Sequence, residues 1–293
     1  MLRVKAYSKI NLFLNVLDKR PDGYHNIESV MQSISLADHL VFSKADKDEI
    51  VYKNYPVGVF KDDLVAVALE LMREETDLPE GTRIEVDKEI PVAAGLGGGS
   101  ADAAATLIGL NCLYDLGLSL TKLRSLAEKI GADVPFFLSG GTQLAKGKGE
   151  ILSRLKNMPR CWIVTATPPG SVSTSRIYQE FDEIGSPPPV NPAQVQRALL
   201  RGIERGDPIA VSKNLYNALE AVTARSYPEI LNLKEETLKA GADGVSMTGS
   251  GPTVFALVSS EEKAKAVFAA LKTKVDEVNL ATSCQKGVEV VEL

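Results

Sequence analysis

A glycine-rich stretch that runs directly into a helical sequence constrains this chain more than any other feature. Four of the five positions 95–99 are glycine, and an alanine-rich run from Ala101 to Leu107 follows. Alanine and leucine favour helix, and Ser100 is predicted to be the N-cap because its hydroxyl can accept a hydrogen bond from a backbone amide. Free N–H groups at a helix N-terminus bind anions, and glycine lets the backbone approach a ligand closely. The stretch 91–101 therefore predicts a phosphate-binding loop.

The spacing of these glycines differs from two common phosphate-binding motifs. No Gly-Lys-Ser/Thr triplet follows at the Walker A spacing, and the run 147–149 reads Gly-Lys-Gly instead. Counted from either of the first two glycines, the last position of the dinucleotide-binding pattern holds Ser100 or Asp102. The alternative is a tight turn at a helix entrance with no ligand. Such a turn needs only one or two glycines, and each further glycine loses conformational entropy on folding.

The composition is that of an ordinary globular protein rather than a disordered or nucleic-acid-binding one. A length of 293 residues suits two domains, and 44% hydrophobic with 24% charged residues excludes disorder. A net charge of −5 argues against binding nucleic acid by neutralising its phosphates. The three cysteines are far apart, which predicts buried thiols in a reducing compartment. No apolar run approaches ~18 residues, so we expect a cytoplasmic protein with no membrane partner.

The first residues predict a β-strand with a polar face. From Leu2 to Val16 the apolar residues fall mainly on even-numbered positions, an alternation typical of strands. Lys9 and Asn11 then share the opposite face, about 7 Å apart along the strand. A solvated strand face is the alternative interpretation. Asparagine is unfavourable in strands, so Asn11 indicates a polar partner or a ligand at this face.

Two further segments hold candidate site residues whose roles the residues alone leave open. Arg20-Pro21-Asp22-Gly23 predicts a turn, after which Tyr24 and His25 could bind a planar ring or cover the edge of the core. Asp133 stands among small and apolar residues with no cation nearby in sequence. It is either the N-cap of the next helical turn or a catalytic carboxylate in a partly dry pocket. No pair of cysteine or histidine residues has the spacing of a metal site.

The periodicities elsewhere predict an α+β protein with two domains, residues 1–155 and residues 156–293. The predicted strands are 27–36, 39–43, 49–54, 82–86, 161–167, two strands joined by a glycine loop within 244–258, and 287–293. The predicted helices include one capped by Asp62-Asp63 and those at 192–205, 208–223, 228–240 and 261–275. The run 186–189, Ser-Pro-Pro-Pro, predicts a stiff loop rather than a domain linker.

The run from Pro91 to Ala105 resembles the phosphate-binding motif of the GHMP small-molecule kinases, which include galactokinase, homoserine kinase and mevalonate kinase. The Lys9 strand, the segment Gly131–Phe137 and the glycine loop within 244–258 are similar to further motifs of that family, so the resemblance covers nearly the whole chain. It implies a ribosomal-S5-like first domain and a ferredoxin-like second domain. It also implies transfer of a phosphoryl group from ATP, with Mg²⁺, to a small alcohol.

The resemblance also implies roles for individual residues. Lys9 and Asp133 correspond to catalytic residues, and Asn11 lies by the phosphoryl acceptor. The turn before Tyr24-His25 is similar to that of one branch of the family, whose acceptor carries a cytidyl group. Tyr24, His25 and Tyr178 would then bind the cytosine; the alternative for Tyr178 is a core residue on a helix face. The ATP phosphates would be held by Pro91, Val92, Ala93, Ala94, Gly95, Leu96, Gly97, Gly98, Gly99, Ser100 and Ala101.

Two alternatives remain at this point. One is a GHMP kinase with a different acceptor, such as mevalonate or homoserine, against which the Tyr24-His25 turn argues. The other is a nucleotide-binding protein without catalytic activity on the same scaffold, against which the presence of both Lys9 and Asp133 argues.

Overall fold

Two β-sheets, each covered by helices, organise the chain. The computed structural model describes residues 1–54, 63–79, 81–184 and 190–292. Its strands are β1 (Leu2–Lys19), β2 (His25–Lys44), β3 (Glu49–Tyr52), β4 (Thr82–Asp87), β5 (Thr142–Lys146), β6 (Ile151–Arg154), β7 (Trp162–Thr167), β8 (Tyr216–Asn217), β9 (Gly244–Met247), β10 (Val254–Val258), β11 (Glu277–Thr282) and β12 (Val288–Glu292). Its helices are α1 (Leu64–Glu75), α2 (Gly98–Leu113), α3 (Leu120–Ile130), α4 (Val134–Ser139), α5 (Thr174–Ile184), α6 (Pro192–Arg205), α7 (Pro208–Ser212), α8 (Glu220–Ser226), α9 (Glu229–Lys239) and α10 (Glu261–Lys272).

The first sheet is built around the long antiparallel pair β1 and β2. Its strand order is β12-β1-β2-β4-β3, with β5 beside β2, β6 beside β5 and β8 beside β1. β2 is one continuous strand where two were predicted, because the chain bulges between them: Ala37 pairs with Tyr7, whereas Ile34 pairs with Ser8. The apolar face of this sheet packs on α1 and α2 in a core that includes Leu2, Val4, Phe42, Met72 and Leu107.

The second sheet has the strand order β11-β7-β10-β9, and all its neighbouring strands are antiparallel. This order, with helices between β7 and β9 and between β10 and β11, is the ferredoxin-like split βαβ arrangement. One face packs on α8, α9 and α10 through residues such as Val164, Ala256 and Val267. The other face contributes Phe255 and Leu257 to a core that Ile10 and Leu12 of β1 share. The predicted α+β class and two-domain architecture are therefore confirmed.

Two strands from the second half of the chain belong to the first sheet. β8 and β12 lie beyond residue 155 in sequence, yet both pair with β1 in the first sheet. The other strands after residue 155, β7, β9, β10 and β11, form the second sheet. The domain boundary between residues 155 and 156 stays a prediction.

The single helix predicted over 208–223 is wrong. The chain instead forms α7, the short strand β8 and α8. β8 pairs in parallel with Phe13 and Leu14, and the Asn217 side chain donates hydrogen bonds of 2.8 Å to the carbonyls of Met247 and Gly249. These partners are distant in sequence, so a local helical pattern could not reveal them.

The structure also tests the predictions for the cap of α1, the cysteines and membrane-spanning segments. Asp63 is the N-cap of α1 and accepts a 2.9 Å hydrogen bond from the amide of Val65. Of the three free thiols only Cys161 is buried, and Cys112 is exposed, so the prediction of buried thiols holds for one of them. No helix in the described part of the chain is long and apolar enough to span a bilayer. Asp62 and the stiff loop predicted over 186–189 lie outside the described residues.

Candidate active site

The predicted phosphate-binding loop forms the wall of a cavity of about 290 Å³ between β4 and the start of α2. Residues 91–95 and 97–100 line it, together with Tyr52, Asp63, Lys88 and Asp102. Leu96 and Ala101 do not belong to this wall, because both side chains are fully buried in the core. The carbonyl of Leu96 accepts a 3.0 Å hydrogen bond from the amide of Lys9, so these two positions anchor the loop.

The helix begins at Gly98, and its N-cap is Gly97 rather than Ser100. Gly97 has a φ of 74°, a conformation that glycine adopts easily. A Cβ at this position would lie 2.7 Å from the Phe137 ring and 3.2 Å from the Lys9 side chain. The prediction of Ser100 as the cap is therefore wrong, because packing from distant segments sets the helix start. The Ser100 side chain lies in the first turn of the helix, on the cavity wall.

The second glycine loop, between β9 and β10, packs directly on the first. Gly95 has a φ of 79°, and a Cβ there would lie 2.3 Å from the carbonyl oxygen of Thr248. The hydroxyl of Thr248 donates a 3.2 Å hydrogen bond to the carbonyl of Gly95. The two glycine loops thus contact each other, as the resemblance to the GHMP kinases implies.

Lys9 and Asp133 face each other beside the phosphate-binding loop. The ammonium of Lys9 lies 3.6 Å from Asp133 Oδ2, with side-chain exposures of 5% and 34%. Asp133 occupies the N-cap position of α4, but its side chain makes no capping hydrogen bond. The carboxylate is turned toward the lysine instead, so capping does not account for this residue.

Asn11 connects Lys9 to the second glycine loop. Its Oδ1 accepts a 2.7 Å hydrogen bond from Lys9 Nζ and a 3.0 Å hydrogen bond from the amide of Gly249. Its Nδ2 donates a 2.8 Å hydrogen bond to the Ser29 hydroxyl. The polar partner that Asn11 indicated in the sequence is therefore present, and the amide holds the Lys9 side chain in place.

Of the three residues expected to bind a cytosine, two contact each other. The imidazole of His25 stacks on the Tyr178 ring with centroids 5.0 Å apart and an interplanar angle of 25°. Tyr24 is 59% exposed, and Lys148 Nζ lies 4.7 Å from its ring centroid. In the described part of the chain no ring contact joins Tyr24 to Tyr178. Burial, and to a lesser extent the Asp133 carboxylate, raises the pKa of the Tyr178 phenol well above its usual range.

The sequence interpretation missed a buried ionic cluster on the cavity wall. Lys88 donates hydrogen bonds to Asp38 and Asp102, and all three residues are buried. Asp38 also accepts hydrogen bonds of 2.7 and 2.8 Å from the amides of Glu89 and Ile90. Burial, opposed by the Lys88 charge, raises the pKa of Asp102 well above its usual range. The cluster joins β2, β4 and α2, three elements that no local pattern connects.

Two more residues of the site had weak signals or none. Asp182 lies within hydrogen-bond distance of His25, with Oδ1 2.7 Å from Nε2, and no sequence pattern indicated it. Lys148 lies in the Gly-Lys-Gly run, which the sequence marked only as a turn.

Comparisons with known proteins identify the family of this chain. Residues 63–141 match the model of the GHMP kinases N terminal domain, and residues 199–277 match that of the GHMP kinases C terminal. A 4-diphosphocytidyl-2-C-methyl-D-erythritol kinase of Pelotomaculum thermopropionicum is 46% identical over 280 residues, which cover 94% of this chain and 96% of the relative. A protein of the same name from Geobacillus kaustophilus is 44% identical over 281 residues, with coverage of 94% and 95%.

A solved structure agrees as well. The crystal structure of a 4-(cytidine 5'-diphospho)-2C-methyl-D-erythritol kinase matches with a TM-score of 0.80 at 33% identity, covering 96% of this chain and 98% of that chain. The N-terminal domain model spans the phosphate-binding loop and Asp133. The chain therefore belongs to the GHMP kinase family, in the branch of the 4-diphosphocytidyl-2-C-methyl-D-erythritol kinases.

Proposed function

We propose that this protein transfers the γ-phosphoryl group of ATP to the 2-hydroxyl of 4-diphosphocytidyl-2-C-methyl-D-erythritol, a reaction of non-mevalonate isoprenoid precursor biosynthesis. The observation that carries the proposal is the convergence of a buried lysine and a partly exposed carboxylate, 3.6 Å apart, at the phosphate-binding loop. The names of the full-length relatives support the choice of acceptor.

ATP binds in the cavity along 91–101 in this proposal. The amides at the start of α2 and the positive end of its dipole stabilise the nucleotide phosphates. A Cβ on Gly99 would meet no atom closer than 3.8 Å, so the protein leaves open space where phosphates would lie. Mg²⁺ commonly binds phosphate oxygens with few protein ligands, and the Ser100 hydroxyl on the cavity wall is an oxygen donor suited to it. The ion supplies charge neutralisation of the phosphates when bound.

The chemistry falls to Lys9 and Asp133. Asp133 accepts the proton of the 2-hydroxyl as the hydroxyl oxygen forms its bond to the γ-phosphorus, and the bond from that phosphorus to the ADP oxygen breaks. Phosphoryl transfer requires mainly positioning and charge stabilisation from the protein. The Lys9 ammonium stabilises the Asp133 anion and the charge on the transferring group. Asn11 orients the lysine through its 2.7 Å hydrogen bond and, in this proposal, the acceptor.

The acceptor site lies where β2 begins, beside the turn 147–149. The amide of Ile27 donates a 2.7 Å hydrogen bond to the carbonyl of Gly147, and a Cβ on Gly149 would lie 3.6 Å from Asp133 Oδ1. In this proposal Tyr24, His25 and Tyr178 bind the cytosine, and the 2-hydroxyl of the acceptor reaches Asp133. Aromatic and imidazole side chains suit a flat base rather than mevalonate or homoserine, which have no ring.

Phosphorus NMR of the purified protein with ATP and Mg²⁺ tests the proposal. Parallel samples contain 4-diphosphocytidyl-2-C-methyl-D-erythritol, mevalonate or homoserine as the acceptor. We expect a new phosphomonoester resonance in the cytidyl sample alone. A new resonance with mevalonate or homoserine would contradict the acceptor, and no turnover by folded protein that binds ATP would contradict the catalytic function.

A further inference from the structure

We propose that Asp182 is a positioning residue that holds the His25 imidazole in the tautomer able to accept a hydrogen bond from the cytosine amino group, so that the site selects cytosine over uracil. The inference rests on the proposed function, because it places the cytosine at His25. It adds a residue of the second domain to the recognition of the base.

α5 contacts the His25 ring with two side chains. Tyr178 covers one face of the imidazole, with centroids 5.0 Å apart, and Asp182 contacts its edge, with Oδ1 2.7 Å from Nε2. Residues four apart lie on the same side of a helix. α5 therefore fixes both the position and the rotation of the imidazole.

The charge of Asp182 determines which ring nitrogen carries the proton. Lys19 Nζ lies 2.6 Å from Asp182 Oδ2, and the hydrogen bond from Lys19, followed by that from His25, lowers the pKa of the Asp182 carboxyl. An ionised carboxylate only accepts hydrogen bonds. When the imidazole is neutral, a proton on Nε2 lets it donate to that carboxylate and leaves Nδ1 as an acceptor.

The acceptor nitrogen has no partner in the described part of the chain. His25 is only 6% exposed, and its one polar contact there is the Nε2 contact with Asp182. Nδ1 is not fully enclosed by protein, so a ligand can reach it. A Cβ on Gly149 would lie 3.6 Å from Asp133 Oδ1 and 3.8 Å from the side chain of Ile27, two residues after His25, so the imidazole belongs to the same part of the molecule as the proposed acceptor site.

The two pyrimidines differ at the atom that such an acceptor would contact. Cytosine carries an amino group at C4, which donates hydrogen bonds, whereas a carbonyl oxygen at the same position, as in thymine and uracil, only accepts. An unprotonated Nδ1 pairs with the cytosine amino group and repels the uracil oxygen. A site built to bond one such group rejects the analogue that lacks it.

Nitrogen-15 NMR of the imidazoles tests the tautomer directly. The chain has two histidines, His25 and His39, so the His39→Gln variant leaves a single ring to observe. In that background we expect Nε2 protonated and Nδ1 unprotonated, and we expect Asp182→Ala to give a mixture of tautomers. Glu183→Ala, which removes a neighbouring carboxylate from the same helix, is the matched control and should leave the spectrum unchanged. A proton on Nδ1 in the parent spectrum, or no change in Asp182→Ala, would overturn the proposal.

Binding of CDP and UDP, measured by calorimetry, tests the selectivity. We expect CDP to bind at least about tenfold more tightly than UDP, the effect of one well-formed hydrogen bond against an unpaired one. Asp182→Ala should bring the two affinities within about threefold of each other, whereas Glu183→Ala should keep the difference. Equal affinities in the parent protein, or an unchanged ratio in Asp182→Ala, would contradict the role of Asp182.

Steady-state kinetics separate this inference from the proposed function. Asp182→Ala should raise KM for the cytidyl substrate about tenfold while KM for ATP and kcat stay within twofold. A comparable rise in KM for ATP would point to a folding defect and would count against the inference. If the parent protein does not phosphorylate the cytidyl substrate, the proposed function fails, and the NMR and CDP–UDP measurements still decide the role of Asp182.

Discussion

Two lysines are buried on either side of the phosphate-binding loop, and their charges are balanced in different ways. A Cβ on Gly97 would lie 3.2 Å from the Lys9 side chain, and a Cβ on the next residue, Gly98, would lie 3.2 Å from Lys88 Nζ. Lys88 is held by two buried carboxylates, Asp38 and Asp102. Lys9 faces one carboxylate at 3.6 Å, which is 34% exposed, and makes its 2.7 Å hydrogen bond to a neutral amide.

The difference indicates which lysine is available for chemistry. The charge of Lys88 is balanced by protein carboxylates, which accept two of its three N–H donors, and this pairing ties the loop to β2 and α2. Breaking a buried ion pair leaves an uncompensated charge, which strongly destabilises the folded state. A cation with one partly exposed carboxylate can instead interact with charge that develops on a substrate. We therefore assign Lys88 to the stability of the loop and Lys9 to phosphoryl transfer.

Lys88→Met tests the structural half of this comparison and should have the largest effect. We expect it to lower the free energy of unfolding by about 3–5 kcal/mol, because Asp38 and Asp102 lose their buried partner. Chemical denaturation measures this change. Lys122→Met is the control, since Lys122 pairs with Glu75 at 2.8 Å but is 40% exposed, and its loss should cost less than about 1 kcal/mol. Equal effects of the two variants would contradict the structural role of Lys88.

Lys9→Met tests the catalytic half. We expect kcat to fall about 10²–10³-fold, the usual cost of removing one donor that stabilises transition-state charge. The KM for ATP should change little, because the nucleotide cavity is lined by Lys88 and not by Lys9. If steady-state kinetics showed a raised KM for ATP with normal kcat, Lys9 would be a binding residue and the comparison would be wrong.

Tyr24→Ala tests the part of the site that would bind the base. The exposed Tyr24 ring is free to stack on a base, and base–aromatic stacking contributes about 1–3 kcal/mol. We expect the affinity for the cytidyl substrate to fall by that amount while the affinity for ATP is unchanged. Tyr24→Phe keeps the ring and should retain the affinity. Equal losses for both ligands in Tyr24→Ala would indicate a general folding defect instead of stacking.

Two glycine variants give the smallest effect and separate packing from ligand binding. Gly99→Ala should weaken ATP binding about fivefold, or ~1 kcal/mol, because the new methyl group enters space on the cavity wall and would meet protein only at an ordinary 3.8 Å contact with Leu64. Its melting temperature should not fall, since alanine favours helix over glycine. Gly97→Ala should lower the melting temperature, because its Cβ would lie 2.7 Å from Phe137. A lower melting temperature for Gly99→Ala, with an unchanged melting temperature for Gly97→Ala, would contradict the assignment of Gly97 to packing and Gly99 to ligand binding.

The parts of the site that could be predicted from the sequence are those that a short local pattern of residues indicates. The glycine loop, the alternation that places Lys9 beside Asn11, and the isolated Asp133 each lie within a few residues of the signal that marks them. The helix start at Gly97, in contrast, depends on contacts with Phe137 and the Lys9 side chain. The local preference of serine for an N-cap could not compete with those contacts.

The missed features all depend on residues that are distant in sequence. The Lys88 cluster joins strands and a helix through partners 50 and 14 residues away, and Asp182 reaches His25 across 157 residues. The division of the predicted helix 208–223 has the same cause, because β8 takes its hydrogen bonds from β1. Periodicity reports how a segment packs as a whole, but it does not identify the partner of one polar side chain.

Single-turnover kinetics of Asp133→Asn tests the central claim most directly, namely that the carboxylate opposite Lys9 performs the proton transfer. We expect the rate of phosphoryl transfer to the cytidyl substrate to fall about 10²–10⁴-fold, the usual range for loss of a general base. The free energy of unfolding should fall less than in Lys88→Met, because Asp133 is 34% exposed and lies 3.6 Å from Lys9, and its side chain makes no capping hydrogen bond. A near-normal transfer rate in a folded Asp133→Asn protein would contradict the claim.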